Sequence, residues 1–185
     1  MDANASPRRF TRAIVRTPSR SMINGLTQAN LGFPDYSLAL RQHEHYQEGL
    51  QQAGLEVRVL PADEANPDST FVEDVALLTS ACAVVMSPGA PSRRRETQGW
   101  PALLTEYYKV VETVPLPATI EAGDIMMAGT HFYIGLSERT NSAGAERTLD
   151  ILSRYGMTGT ATPVGEILHL KTGVSYLDNN MTKKF

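Results

Sequence analysis

One cysteine, one tryptophan and four histidines are all that the 185 residues supply of these types. A lone Cys82 excludes an intrachain disulfide framework and any metal site built from several thiolates. No apolar run approaches the roughly 20 residues a membrane-spanning helix needs, and no apolar run with a small-residue cleavage site follows the arginines of MDANASPRRFTRAIV. A cytoplasmic protein is therefore expected. Strong charge of either sign is missing too: the formal net charge is −3 and the pI about 5.8, which leaves no overall electrostatic footprint for nucleic acid or an anionic membrane. Neither is expected as a partner. What is present is a 42% hydrophobic composition over 185 residues, enough for a sizeable core and for one domain spanning residues 1–185.

The order of elements is legible from spacing. FTRAIVR (10–16) reads as a strand followed by a Pro18 and Gly25 loop. From Pro34 the apolar positions recur at helical spacing until Gly54, and VRVLP (57–61) is the next strand. A repeated pattern follows. FVEDVALLTSACAVVM gives two short strands around a small-residue turn, then an SRRRE loop, a helical segment near 101–109 and the strand VVETVPLP. IEAGDIMM, HFYIGL, the loop SERTN, a helix from about Ala145 to Tyr155 closed by Gly156, and a strand near 158–163 form a second copy. ILHLKTGVSYLDNN begins a third. Asp74 and Asp124 hold the same place in the first two copies. A period of about 50 residues with a helix in each copy points to a repeat architecture of mixed α/β type.

Aligning the copies puts polar residues at equivalent unit ends: Asp68, Glu73 and Asp74 in the first, Glu121 and Asp124 in the second, His169 and Lys171 in the third. Acids converging from successive units suit a cation with several donors, and a planar guanidinium with five N–H groups fits. Each residue also has an ordinary explanation. Glu73, Asp74 and Asp124 could be turn residues, and a histidine between Leu168 and Leu170 could be a hydrogen-bonded core residue of an apolar strand. Asp124 is the less certain carboxylate of EAGD. His43 and His45 are not spaced to face one metal from a helix, and His131 reads as a strand start, so no metal site is expected. The run Arg93, Arg94 and Arg95 reads as a solvated loop or, with Arg139 in the corresponding loop of the next copy, as half of a clamp on one carboxylate. A ligand with a guanidinium at one end and a carboxylate at the other would satisfy both ends.

The runs RTPSRSMINGLT, LGFPDY, NPDSTFVEDVALL, SPGAPSRRRE, TIEAGDIM, FYIGLSERTN and LHLKTGVSYL resemble the dimethylarginine dimethylaminohydrolases, within the guanidine-modifying superfamily that includes arginine deiminase and the amidinotransferases. The resemblance extends from about residue 11 to the end of the chain. It implies a five-fold pseudosymmetric ββαβ propeller (pentein), of which this chain would cover the first three to four units, incomplete at the C-terminus. It further implies His169 as general acid and base with Glu121 beside it, Asp74 on the guanidinium with Glu73 near it, and Arg93 and Arg139 on the substrate carboxylate. Asp68 and the Leu26 backbone would take the α-amino group, with Phe71 packed beside the side chain. The implied reaction converts a methylated arginine to citrulline and an amine without a cofactor, and a homodimer is compatible with it. The implied nucleophile is a cysteine in a final unit, a role that Cys82 in TSACAVVM does not fit, so the chain ending at Phe185 is expected not to turn over by itself. An arginine deiminase-like hydrolase and a non-catalytic arginine- or citrulline-binding homologue are the alternatives.

Overall fold

Strand β1 (Arg12–Arg16) and strand β2 (Glu56–Leu60) pair in parallel, which requires a crossover, and helix α1 (Tyr36–Gln52) supplies it. The computed structural model describes residues 10–177 and 181–184. The LDNN end of the third-copy run and the leader residues 1–9 fall wholly or partly outside that range. Asp35 caps α1, accepting from the Leu38 N–H at 2.9 Å. His43 is half-buried on this helix with Nδ1 2.8 Å from Gln47 Nε2, and His45 is exposed. These elements belong to the first of two compact units, Met1–Val72, which is described separately from the second, Glu73–Phe185.

The second unit contains the repeat. Strands β3 (Ala76–Leu78) and β4 (Ala83–Val85) form an antiparallel hairpin, and β5 (Val111–Thr113) joins β4 in parallel after helix α2 (Trp100–Leu104). The second copy repeats this order: hairpin β6 (Ile125–Ala128) and β7 (His131–Leu136), helix α3 (Ser142–Ser153), then β8 (Thr158–Pro163) parallel to β7. A third hairpin follows, β9 (Val174–Leu177) with β10 (Met181–Lys184). The β1–α1–β2 segment has the strand, helix, parallel-strand order that closes each such copy.

Two helices differ from their expected bounds. Helix α2 stops at Leu104 and gives way to turns, with the Tyr108 N–H donating to the Leu104 carbonyl at 2.9 Å. The run TEYYK, with a β-branched residue and two aromatics, is a poor helix former. Helix α3 starts at Ser142 rather than near Ala145, because Asn141 of SERTN caps it through the Gly144 N–H at 2.7 Å. The two copies share a core of Cys82, Val84, Met86, Ile120, Phe132 and Ile134, each at most 2% exposed. Alternation along β7 sends Phe132 and Ile134 inward and Tyr133 outward.

Candidate active site

Each of three hairpins is preceded by a tight turn: Val72–Val75 before β3, Ala122–Asp124 before β6, and Leu170–Gly173 before β9. His169 is the residue just ahead of the third turn, with extended backbone. The ordinary explanation, a core histidine of an apolar strand, does not hold: Leu168 is exposed, and the strand begins only at Val174.

Within the second unit these turns gather Asp74, Glu121, Asp124 and His169, all at most 9% exposed. His169 Nε2 lies 3.5 Å from Glu121 Oε2 and 3.8 Å from Asp74 Oδ1. On the other side of the ring, Nδ1 lies 3.3 Å from Asp124 Oδ2. That approach allows charge attraction, and among the described residues Nδ1 is a buried atom without a hydrogen-bond partner. Gly123 permits the gathering. A Cβ at that position would sit 2.6 Å from Asp74 Oδ1 and 2.8 Å from His169 Cδ2, so a side chain there would force the two apart.

The arginines complete the cluster. Arg93 lies in the 3-10 run Pro91–Thr97, where three residues make a turn, so Arg93 and Glu96 share a face. Glu96 receives Arg93 Nε at 3.1 Å and Nη2 at 2.8 Å, while Nη1 donates to Asp74 Oδ2 at 2.7 Å. The same Nη1 is 3.5 Å from Glu121 Oε2, and Arg139 Nη1 is 3.5 Å from Glu121 Oε1. Both arginines thus approach a carboxylate of the chain itself, that of Glu121. Arg94 and Arg95 do not join them: Arg94 Nε is 3.5 Å from the Pro88 carbonyl and Arg95 is exposed. Glu73 is exposed and pairs with Lys171 at 2.6 Å.

The electrostatics follow from burial and contacts. Burial pushes the Glu121 carboxyl above its ordinary range, and Arg93, Arg139 and His169 only partly counter it while Asp74 adds to it. Burial acts in the same direction on Asp124, but His169, the Thr140 and Ser137 hydroxyls and the Leu170 N–H outweigh it and hold this carboxyl below its usual value. Burial alone would lower His169, yet Asp124, Asp74 and Glu121 raise it. Among these residues four carboxylates (Asp74, Glu96, Glu121, Asp124) face two guanidinium groups (Arg93, Arg139), so with the acids ionised the cluster is anionic overall even when the histidine is charged. Ligand atoms of Asp74, Glu121 and His169 also lie within 4.8 Å of one another, the spacing of a cation site. The Arg93 guanidinium already occupies two of those acids, so a metal would have to compete with it.

Glu96 was absent from the expected site, although its i, i+3 spacing from Arg93 in SRRRE signals it, and Asp124, the less certain carboxylate of EAGD, had no assigned role there. Cys82 is fully buried in the core and its thiol is pushed up by burial, the opposite of a reactive setting. His131 begins β7 and its ring nitrogens lie 2.9 and 3.1 Å from the Thr158 and Thr160 hydroxyls. Within the first unit, buried Asp68 accepts the Leu26 N–H at 3.0 Å, and Phe71 is 57% exposed.

Repeated ββαβ units with acids, arginines and a histidine at their turns define an α/β protein of the pentein class whose cluster suits a cation with several donors. The family model described as "N,N dimethylarginine dimethylhydrolase, eukaryotic" matches residues 35–181. The curated N(G),N(G)-dimethylarginine dimethylaminohydrolase of Pseudomonas aeruginosa is 48% identical over 172 residues, covering 92% of this chain and 68% of its own. The solved structure of a Cys-to-Ser mutant of the Pseudomonas aeruginosa enzyme, complexed with citrulline, superposes with a TM-score of 0.92 at 48% identity, over 94% of this chain and 68% of that one. At 15% identity, the N-terminal domain of ArgZ, a cyanobacterial arginine dihydrolase bound to its product, has a TM-score of 0.83 over 94% of this chain and 66% of its own, which shows shared fold alone. The chain belongs to the dimethylarginine dimethylaminohydrolase family, and it spans about two thirds of the length of these relatives.

Proposed function

We propose that the chain carries the guanidinium-binding and proton-transfer part of an enzyme that hydrolyses N-omega-methylated arginines, asymmetric dimethylarginine or monomethylarginine, to citrulline and dimethylamine or methylamine. The observation that carries this reading is the anionic cluster itself, in which Asp74 and Glu121 already accept a guanidinium from the chain's own Arg93. In this reading a ligand guanidinium takes its place on those acids. Family membership supplies the methylated substrate.

The residue types suit the chemistry. A guanidinium carbon is resonance-stabilised and a poor electrophile, so attack needs a thiolate and acids that hold the plane of the substrate. Collapse of the resulting adduct expels an amine, which must be protonated as it leaves. His169 is assigned that proton transfer, and afterwards the activation of the water that releases citrulline. Its raised proton affinity, held by three carboxylates, suits the acid half of the cycle. Cys82, sealed in the core, is not the thiolate. Arg139, with one long contact to Glu121, is assigned the substrate carboxylate together with Arg93. Asp68 and the Leu26 backbone are assigned the α-amino group, Phe71 the side chain and Glu73 a flanking role.

Calorimetry of this chain with citrulline and with asymmetric dimethylarginine tests the binding half, with Asp74→Asn and Glu121→Gln expected to abolish it. Heat of binding for neither ligand would overturn the reading. Citrulline formation, measured side by side with arginine and its methylated forms in a protein spanning the relatives' full length, tests the chemistry and separates it from deiminase activity. Among the described residues no helix is long and apolar enough to cross a membrane. A cytoplasmic location and a homodimer belong to the same proposal, testable by fractionation and light scattering.

A further inference from the structure

Asp124 is fully buried and, among the described residues, sits in no ion pair with an arginine or lysine, yet its carboxyl is held below its ordinary value. Its Oδ2 accepts the Thr140 hydroxyl at 2.6 Å and the Ser137 hydroxyl at 2.7 Å, and its Oδ1 accepts the Leu170 N–H at 2.9 Å. Ser137 and Thr140 come from the SERT turn that joins β7 to α3, and Leu170 is the residue after His169. One carboxylate therefore ties the turn, the backbone beside the histidine and, at 3.3 Å, the histidine Nδ1. Hydrogen bonds to an ionised acid are among the strongest a protein makes, and three of them leave this carboxylate little freedom to rotate.

We infer that Asp124 is the positioning residue of His169: it fixes the neutral imidazole with its proton on Nδ1, so that Nε2 is the nitrogen free to give and take protons beside Glu121 and Asp74. The physical case is the acceptor-only character of a carboxylate. An unprotonated Nδ1 would set a lone pair 3.3 Å from an anionic oxygen, a repulsion in a buried setting, whereas an Nδ1–H needs only a small ring rotation to become a charge-assisted donor. Among the described residues no other hydrogen-bond partner is at hand for Nδ1. The groups facing the ring are then Asp124 on the Nδ1 side and Asp74 and Glu121 on the Nε2 side, with Arg93 and Arg139 partly neutralising Glu121. Lys171, next along the chain, is committed to Glu73. Gly123 admits the ring edge to this place. The role rests on the proposed proton transfer by His169 for its purpose, but not for its test.

The test is the imidazole tautomer in the uniformly nitrogen-15-labelled chain, read from long-range proton–nitrogen correlations above the His169 titration midpoint and assigned with His169→Gln. The expected result is Nδ1–H with an unprotonated Nε2. In Asp124→Asn the amide oxygen can still accept from Leu170, while the amide nitrogen turns a donor toward Nδ1, so the majority tautomer should switch to Nε2–H and the His169 midpoint should fall. An Nε2–H tautomer in the parent chain overturns the inference even if the variant fails to fold, and so does an unchanged tautomer and midpoint in a folded variant. Failure to bind citrulline or dimethylarginine would sink the proposed function and leave this result standing.

Discussion

Replacing Arg93 by methionine removes the cation while keeping a stem of similar length, and the structure sets the size of the effect. The Arg93 side chain is 5% exposed and its partners Glu96 and Asp74 are 3% and 11% exposed, with contacts of 2.8 and 2.7 Å. Deleting one partner of a buried pair leaves an uncompensated charge and costs about 3–5 kcal/mol. Here a single deletion strips two acids at once and weakens the hold on Glu121, so the upper part of that range applies. For a chain of this size the loss corresponds to a fall in Tm of roughly 10–15 °C. Arg12→Met provides the contrast. Its partner Glu56 is also mostly exposed, so the loss should stay under about 1 kcal/mol. Replacing Arg93 and Glu96 together by methionine should recover part of the stability, because the desolvation cost of both ions disappears. Differential scanning calorimetry at neutral pH reads all three variants. An Arg93→Met melting point within about 2 °C of the parent would refute the view that this guanidinium holds the acids together.

Further outcomes follow from the same contacts. In Gly123→Ala the added methyl meets Asp74 Oδ1 and the His169 ring, so stability should fall by about 1–3 kcal/mol and citrulline binding should weaken, checked by melting and calorimetry on the same sample. The raised His169 value means that its share of stability is complete below the ordinary 6.5 and is lost as pH climbs through the folded value, so His169→Gln should flatten the alkaline limb of a Tm against pH curve. Asp124 has the opposite sign: its share is present above the ordinary 3.8 and is lost as pH falls through the lower folded value, so Asp124→Asn should flatten the acid limb. Arg139→Ala should weaken binding of citrulline by about 2 kcal/mol, while binding of a methylated guanidine without a carboxylate stays unchanged.

Element order was legible because strand and helix periods and the capping residues Asp35 and Asn141 are local signals. So was the repeat, since the copies carry acids at like positions in FVED and EAGD. What the repeat could not convey is that like addresses have unlike tasks. Asp74 turns to the Arg93 guanidinium, whereas Asp124 is held by two hydroxyls and a backbone N–H on the far side of the imidazole. Those partners come from Pro91–Thr97, from the SERT turn and from the residue after His169, three places whose meeting depends on how the second copy packs on the first and third hairpins. A composition-level view of Arg93 was likewise divided between solvated loop and carboxylate clamp. Its burial follows from the 3-10 geometry that stacks it over Glu96, a pairing written in the spacing but decided by which face of that run meets the core.

The arrangement also explains why two carboxylates stand at the mouth of one buried strand. Glu121, raised by burial and flanked by two arginines, has a charge that responds to what its cationic neighbours do. Asp124, three residues on, is held below its ordinary value by the donors around it. A histidine set between a fixed anion and a tunable one has its proton affinity raised by both and its exchangeable face defined by the fixed one. That division of labour requires the glycine between the acids, since any side chain at position 123 would separate Asp74 from the ring it faces. EAGD thus combines a tunable acid, a close approach and a fixed anchor within four residues, which is why neither acid can be understood as a turn residue alone.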